Sequence, residues 1–479
     1  MPREDVLGIA PELWLLIASM ALLAAAPFTR GRRGDVSTWG AIASLIVTLV
    51  LTAPQFGAPP QRIFDGTYAV DPLALFVRVF VIAAAILVLL ATRDRFRGAT
   101  HAATIPPLIL MSSLGAIALA ASVDLVLIAL FLQVTAVASY GLVGAFKREA
   151  AAQEATLKYF LFAGATGAVM LYGMALLYGL TGTLDTTAMA ERLRGADGAA
   201  VLVAGALIFT GFGFKITAVP LHWWAPDAYE GATAPISGFL SVVPKVAALT
   251  VLVRTLFTAF AALPEWPLLI ALAAALTMTL GNLFALRQRS VKRLLGYSTI
   301  AQAGYLLMAV AVIRLDALAI PAFVFYLVTY LAMNLPAFIV VSIVERASGD
   351  DHLERFNGLG TSSPRLAAAM TVLLLSLAGI PPLAGFVGKV ALFIVAMSGG
   401  FTWLVVIAAI NTAISIYYYL RVIAAMYFER PADGAAEVLP QGASSAVAVV
   451  VGAAATLVIG IFPLAFFALS IASAAIAAP

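Results

Sequence analysis

The chain contains no cysteine, which excludes disulfides, thiolate-held zinc and cysteine-ligated iron-sulfur clusters and leaves the redox compartment open. Charge is scarce as well. Only 11% of the 479 residues are Asp, Glu, Lys or Arg, against about 25% in soluble proteins. Histidine is confined to His101, His222 and His352, and because the first and third fall in loops far from the second, no metal site is read from them. No G-x-G-x-x-G opens a helix after a strand, so nothing argues for a nucleotide or flavin. The net charge of +4 comes from basic residues in short loops between apolar segments rather than on one face, which argues against nucleic acid as a partner.

What is abundant is apolar sequence: 63% of residues are hydrophobic and the mean hydropathy is +1.03. This composition specifies an all-α polytopic membrane protein. About 20 apolar residues cross a bilayer core of about 30 Å. Cutting the chain at charges and at Pro/Gly breaks gives fourteen spans, at 9–28, 36–53, 71–92, 104–121, 123–145, 154–180, 199–220, 232–258, 266–286, 291–312, 318–346, 366–398, 401–428 and 443–470. The first is not read as a cleaved signal peptide, because Pro2, Arg3, Glu4 and Asp5 supply no basic leader.

Cytoplasmic loops carry an excess of Lys and Arg. Alternate loops divide unevenly: one set holds 17 of the 28 basic residues, namely Arg30, Arg32, Arg33, Arg93, Arg95, Arg97, Lys147, Arg148 and nine more between Arg287 and Arg430. The other set holds Arg3, Arg62, Arg192, Arg194, Arg254 and Arg314. Both termini are therefore expected outside.

Three of the six lysines, Lys215, Lys245 and Lys389, fall within spans. A charge at the bilayer centre costs roughly 2.5–3.5 kcal/mol on insertion scales, so such residues mark ion or proton paths. Two of these lysines sit beside proline breaks. Span 7 reads G-F-G-F-K-I-T-A-V-P-L-H-W-W-A-P-D, with Lys215 before Pro220 and Pro226, and span 12 reads S-L-A-G-I-P-P-L-A-G-F-V-G-K, with Pro381 and Pro382 before Lys389. Proline removes a helical hydrogen bond, and a break at membrane depth persists only inside protein or against a wet cavity. Spans 4–8 and 9–13 thus form two five-helix blocks with a broken helix fourth in each. An odd number of spans per block inverts the second relative to the first, which is the inverted-repeat plan of many transporters. The domains expected are an N-terminal three-helix segment (1–103), a first repeat (104–258), a second repeat (266–430) and a C-terminal helix (431–479).

The stretches A-S-Y-G-L-V-G, E-A-T-L-K-Y-F-L-F-A-G, L-Y-G-M-A-L-L-Y-G-L-T-G-T, P-L-H-W-W-A-P-D-A-Y-E-G, M-N-L-P-A-F and G-I-P-P-L-A-G-F-V-G-K carry a family resemblance. They resemble the antiporter-like membrane subunits of respiratory complex I, the proton-translocating NADH-quinone oxidoreductase, and subunit N more than subunits L and M. The resemblance spans residues 105 to 430, and the long lateral helix of subunit L has no counterpart. It implies fourteen helices around two inverted repeats, no cofactor in this subunit, and neighbours that include antiporter-like subunit M, small membrane subunits and the lipid bilayer. It further implies that Lys215 exchanges protons with an inside half-channel, that Lys245, beside Pro244, is a central relay, and that Lys389 lies on the exit side.

Other residues join this reading from their own chemistry. Desolvation disfavours the charged form of a buried amine, which suits the lysines to proton exchange. His222, two residues past Pro220, can shuttle a proton or be a satisfied core histidine. Glu154 and Lys158 stand i, i+4 on one helix, as a structural pair or an uptake site at the inner mouth. Tyr297, Ser298, Gln302, Tyr326, Tyr330 and Asn334 together suggest a wet seam through the second block. One departure stands out. Seven residues before the tyrosine of A-S-Y-G-L-V-G the family carries a glutamate, and here that position is Gln133. A carboxylate about 7 Å from an ammonium contributes roughly 2.4 kcal/mol at an effective dielectric near 20. Gln133 is left to hydrogen-bond a neutral Lys215 or to orient water.

The sequence thus reads as a membrane subunit that moves protons while redox chemistry occurs in partner subunits. Two alternatives are an Mrp-type cation/proton antiporter subunit and a structural subunit that carries no protons. Restoring the acid with Gln133→Glu is expected to change the proton stoichiometry and the titration of Lys215; if both stay as they are, the loss of the carboxylate has no consequence.

Overall fold

The computed structural model describes residues 3–28, 34–97, 99, 101–145, 149–260, 263–430 and 442–476. A bilayer core offers no water to backbone amides, so apolar segments must pair them internally, and every expected span is helical. The chain opens with α1 (Arg3–Ala25), α2 (Gly34–Thr52) and α3 (Pro72–Arg95). Between the last two, β1 (Gln61–Ile63) and β2 (Tyr68–Val70) pair as an antiparallel hairpin with Arg62 opposite Ala69. The first block is α4 (Ile105–Ala121), α5 (Leu125–Val143), α6 (Ala150–Thr181), the connector α7 (Thr186–Arg192), a span split into α8 (Gly198–Ile216) and α9 (Trp224–Gly231), and α10 (Ala234–Phe257). The second block is α11 (Trp266–Ala285), α12 (Val291–Ala311), α13 (Ala319–Ser348), the one-turn α14 (Leu359–Ser362), a span split into α15 (Pro364–Ala378) and α16 (Ala384–Ser398), and α17 (Thr402–Phe428). Last come α18 (Ala443–Ile461) and α19 (Pro463–Ala472).

Among the described residues 13 helices are long and apolar enough to cross a membrane, and α15 with α16 adds a further crossing in two pieces. The fourteen-span, two-repeat plan therefore holds. Loop contacts sort the connections onto two faces. On one, Val123 N donates to Thr67 O, Leu125 N to Leu184 O, Phe64 N to Asp5 and Leu73 N to Ala475 O. The hairpin and both described ends of the chain share this face. On the other, Leu353 N donates to Arg289 O, Gly358 N to Ala425 O and Ser445 N to Asp94. This is the face of the basic loops.

Burial identifies the centre. The apolar window of α10 is 100% buried and that of α12 94%, against 33% for α1, α6 and α17 at the rim. Lys245 thus stands on the innermost helix.

The structure corrects several expectations. Span 1 begins six residues earlier, at Arg3, because the polar first turn is held by the hairpin through Asp5. The hairpin itself was missed, since strands of three residues leave no periodic signal. Span 14 is two helices, α18 and α19, interrupted at Phe462 ahead of Pro463. Arg30, Arg32, Arg33, Lys147 and Arg148, used in the loop comparison, lie outside the described residues.

Arg254 is not a loop residue either. It lies in α10, is 2% exposed, and its guanidinium donates to both Asp71 oxygens at 2.7 and 2.6 Å and to Ala120 O at 2.7 Å. Asp71 also caps α3 by accepting from Ala74 N. A second buried pair, Arg78 with Glu12 at 2.5 Å, joins α3 to α1 and takes in Gln55 and Tyr68. Buried charges of opposite sign close on one another where water is excluded, and removing one member strands the other. Arg254→Met is expected to destabilise the protein by about 3–5 kcal/mol, and adding Asp71→Asn, which keeps the helix cap, should recover most of it. Thermal denaturation of the purified protein in detergent measures both; equal stability of the single variant and the wild type would contradict this.

Candidate functional site

Each split span leaves backbone groups without helical partners, and the site is built from what satisfies them. In the first, α8 ends at Ile216 and Thr217 takes a left-handed backbone at φ 67°. A β-branched residue rarely adopts this region, so the turn is strained. Thr217 N and Trp224 Nε1 both donate to Phe214 O, Ala218 N donates to Gly213 O, and Val219 N is taken by Thr277 Oγ1 at 3.0 Å from α11. Lys215, 3% exposed in the last turn of α8, donates to Tyr159 Oη at 3.0 Å. Tyr159 is itself held by stacking on Trp224, with ring centres 4.4 Å apart, and edge-on by Tyr140.

Lys245 reaches the same break from α10. Its Nζ donates to Thr217 Oγ1 at 2.9 Å and to Thr299 O of α12 at 3.0 Å. The strained threonine therefore joins the two lysines, being two residues from one and bonded to the other.

In the second split span α15 ends at Ala378, and Gly379 at φ 85° turns the chain. Lys389, on α16 and 2% exposed, points back to this end and donates to Leu377 O at 3.0 Å and Ala378 O at 3.2 Å. A cation at the C-terminal end of a helix meets its partial negative charge. The same holds for Lys215 on α8. Gly385 N closes the turn by donating to Ser376 Oγ at 3.0 Å.

α12 connects the two breaks. Thr299 offers its carbonyl to Lys245 and its hydroxyl lies 3.2 Å from Tyr330 Oη. One turn on, Gln302 donates to Leu377 O at 3.3 Å, the carbonyl that Lys389 also uses, and accepts from Tyr326. Asn334 donates to Tyr330 and to Ser241. Of the residues expected to line a wet seam in the second block, Gln302, Tyr326, Tyr330 and Asn334 make these hydrogen bonds, Ser298 bonds Tyr419 instead, and Tyr297 is only half-buried and packs on Phe284. None of the ion pairs among the described residues involves Lys215, Lys245 or Lys389. An amine with neutral partners can gain or lose a proton without breaking a salt bridge.

The remaining expected residues divide. Glu154 and Lys158 pair at 2.7 Å, and Lys158 also binds Asp227 of α9 at 2.8 Å. Arg293 completes this half-exposed cluster with Asp227 at 3.0 Å and Glu230 at 2.5 Å. Asp227 and Glu230 had not been singled out, although they stand i, i+3 in P-D-A-Y-E-G. His222 is 1% exposed between Trp223 and Phe284, with Nδ1 unpartnered, and bonds none of the three lysines. Contrary to the expectation from the sequence, Gln133 does not face Lys215, so Gln133→Glu would place its carboxylate away from that amine. It lies with Val126, Leu130 and Val137 on the exposed face of α5, its amide against Gly167 of α6, and makes no hydrogen bond to the lysine. The buried face of α5 runs through Ile128, Leu132, Thr135 and Ser139, which places position 133 outward. No group of three or more His, Asp or Glu among the described residues is arranged to hold a metal ion.

The family model described as NADH:quinone oxidoreductase/Mrp antiporter, TM, matches residues 122–415. The chain belongs to this family. The match runs from the start of α5 into α17, so both breaks and all three lysines fall inside the family's own region. The chain is 37% identical to NADH-quinone oxidoreductase subunit N of Trichlorobacter lovleyi over 461 residues, 95% of this chain and 94% of the relative. It is 34% identical to F(420)H(2) dehydrogenase subunit N of Methanosarcina mazei over 495 residues, 99% and 100% of the two. A chain of respiratory complex I from Thermus thermophilus, 32% identical, matches with a TM-score of 0.82 over 96% of this chain and 98% of that one. The protein is thus a multi-pass antiporter-like membrane subunit.

In this family member the geometry of the second break depends on Gly385, where a Cβ would overlap the Ser376 carbonyl. Gly385→Ala is expected to destabilise the protein by about 1–3 kcal/mol through overpacking and to displace Lys389 from the end of α15. Thermal unfolding in detergent tests this; wild-type stability would mean that the close approach is not required.

Proposed function

We propose that this chain is subunit N of a complex I-type NADH:quinone oxidoreductase and that it translocates protons through Lys215, Lys245 and Lys389. The observation that carries the reading is that three buried amines have neutral partners only: Lys245 bonds Thr217, two residues from Lys215, and Thr299, one turn along α12 from Gln302, which shares the Leu377 carbonyl with Lys389. In this reading a proton from the inside reaches the neutral amine of Lys215, which becomes an ammonium held by Tyr159 and the α8 end. It passes across Thr217 to Lys245 and along the α12 seam to Lys389. The cluster of Glu154, Lys158, Asp227, Glu230 and Arg293 sits at the inner mouth of the first block. The repeats are assigned to 104–258 and 266–430, preceded by the three-helix segment 1–103 and followed by the helix at 431–479.

The wider setting is part of the same proposal. The basic face is the cytoplasmic one, so both termini lie outside, in the inner membrane of a bacterium. Neighbouring membrane-arm subunits, subunit M and smaller ones among them, flank the chain, and redox cofactors reside elsewhere in the assembly. Relatives named as subunit N of both an NADH-quinone oxidoreductase and an F(420)H(2) dehydrogenase support assigning the electron donor to other subunits. The same names favour an oxidoreductase subunit over an Mrp-type antiporter.

Lys215→Ala and Lys389→Ala in the assembled complex, reconstituted in vesicles, are the test. Protons moved per electron are expected to fall in both while electron transfer by the redox arm persists. A purely structural subunit would lose nothing, and an unchanged ratio in both variants contradicts the proposal.

A further inference from the structure

A file of buried polar side chains between α11, α12 and α17 runs where neither break requires one. Asn282, Ser298, Tyr305, Asn411, Tyr418 and Tyr419 are all at most 2% exposed. Asn282 donates to Asn411 Oδ1 at 3.2 Å and accepts from Tyr418 Oη at 2.9 Å. Asn411 donates in turn to Thr279 at 3.0 Å. Tyr419 stands beside Tyr418, with ring centres 4.4 Å apart, and its hydroxyl is 2.5 Å from Ser298 Oγ. One end of the file is Lys389, by two arms. Its Nζ is 4.8 Å from the centre of the Tyr305 ring, whose hydroxyl is 3.2 Å from Thr412 beside Asn411. Through Leu377 O it also meets Gln302, one turn along α12 from Ser298.

The other end points to the basic face. One turn beyond Tyr418, the half-buried Arg421 donates to Leu286 O at 2.9 Å and to Gln288 O, in the connection that also holds Arg287 and Arg289. Its Nε is buried without a partner. This direction is opposite to the hairpin face, where an exit from Lys389 would open.

Polar side chains glue membrane helices at an average of only about 0.6 kcal/mol per bond. An amide or hydroxyl left dry in an apolar interior costs more than that. Glue therefore explains one or two such contacts and not a file of six buried polar side chains that ends beside a buried amine.

We propose that this file is an inside-facing proton branch that loads Lys389 directly, independently of Lys215. It rests on the reading of Lys389 as a proton carrier. The amides of Asn282 and Asn411 orient water, and the hydroxyls of Tyr418, Tyr419 and Ser298 pass one proton on as they accept another. A proton taken from water at the basic face ends on the neutral amine of Lys389, which becomes an ammonium, and no electron moves. Arg421 at the mouth repels metal cations while protons pass along the hydrogen bonds.

The test uses the assembled complex in vesicles and measures protons moved per electron. Tyr418→Phe, which removes one hydroxyl and keeps the packing, and Asn282→Leu are each expected to lower the ratio, with no further loss when added to Lys389→Ala. A structural role would not produce that dependence on Lys389. An unchanged ratio in Tyr418→Phe and Asn282→Leu overturns the branch, as does an equal loss in the Lys389→Ala background. If Lys389→Ala alone leaves the ratio intact, it is the carrier reading that fails.

Discussion

A helix broken inside a bilayer leaves carbonyls with no water to take them, and the functional arrangement of this chain follows from how those carbonyls are satisfied. In the second split span the last two carbonyls of α15 are taken by the amine of Lys389. In the first, Lys215 lies in the last turn of α8, and Thr217, strained into a left-handed turn, offers its hydroxyl to Lys245. Both breaks therefore set a lysine against the negative end of a half-helix. The lysines stabilise the breaks, and the breaks hold the lysines at depth.

Two kinds of buried charge coexist in the molecule, and their partners distinguish them. Arg254 with Asp71, Arg78 with Glu12 and Lys292 with Glu345 are closed ion pairs that fasten helices together. Deprotonating one member would strand the other, so such pairs resist exchange. Lys215, Lys245 and Lys389 hydrogen-bond only hydroxyls and carbonyls, and losing a proton strands no partner charge. Helix burial does not separate the two kinds, since Arg254 and Lys245 share the enclosed α10.

Much of this was legible in the sequence because membrane spans announce themselves by length and because lysine and proline are rare enough within them to stand out. The two breaks, the three lysines and the Glu154–Lys158 pair were all found in that way. What was not legible depends on rotation and on distant partners. Gln133 falls on α5, as the sequence places it, yet only the packed helix shows that it faces outward. Arg254 reads as a helix-end charge until Asp71, far away in sequence, is seen beside it. The tyrosine that holds Lys215 lies in E-A-T-L-K-Y-F-L-F-A-G, one residue past Lys158, and nothing in that string marks Tyr159 as the partner rather than a core aromatic. Asn282 and Tyr418 carry no local signal, since their meaning lies in a file assembled from three helices.

The central claim is that the three lysines belong to one connected polar path rather than to separate sites. A cryo-EM map of the assembled complex that resolves ordered water tests it most directly. The account predicts waters that link Tyr159 and Lys215 to Lys245 past Thr217, and Thr299 to Gln302 and Lys389. A dry apolar gap along α12 between Thr299 and Gln302 would contradict it.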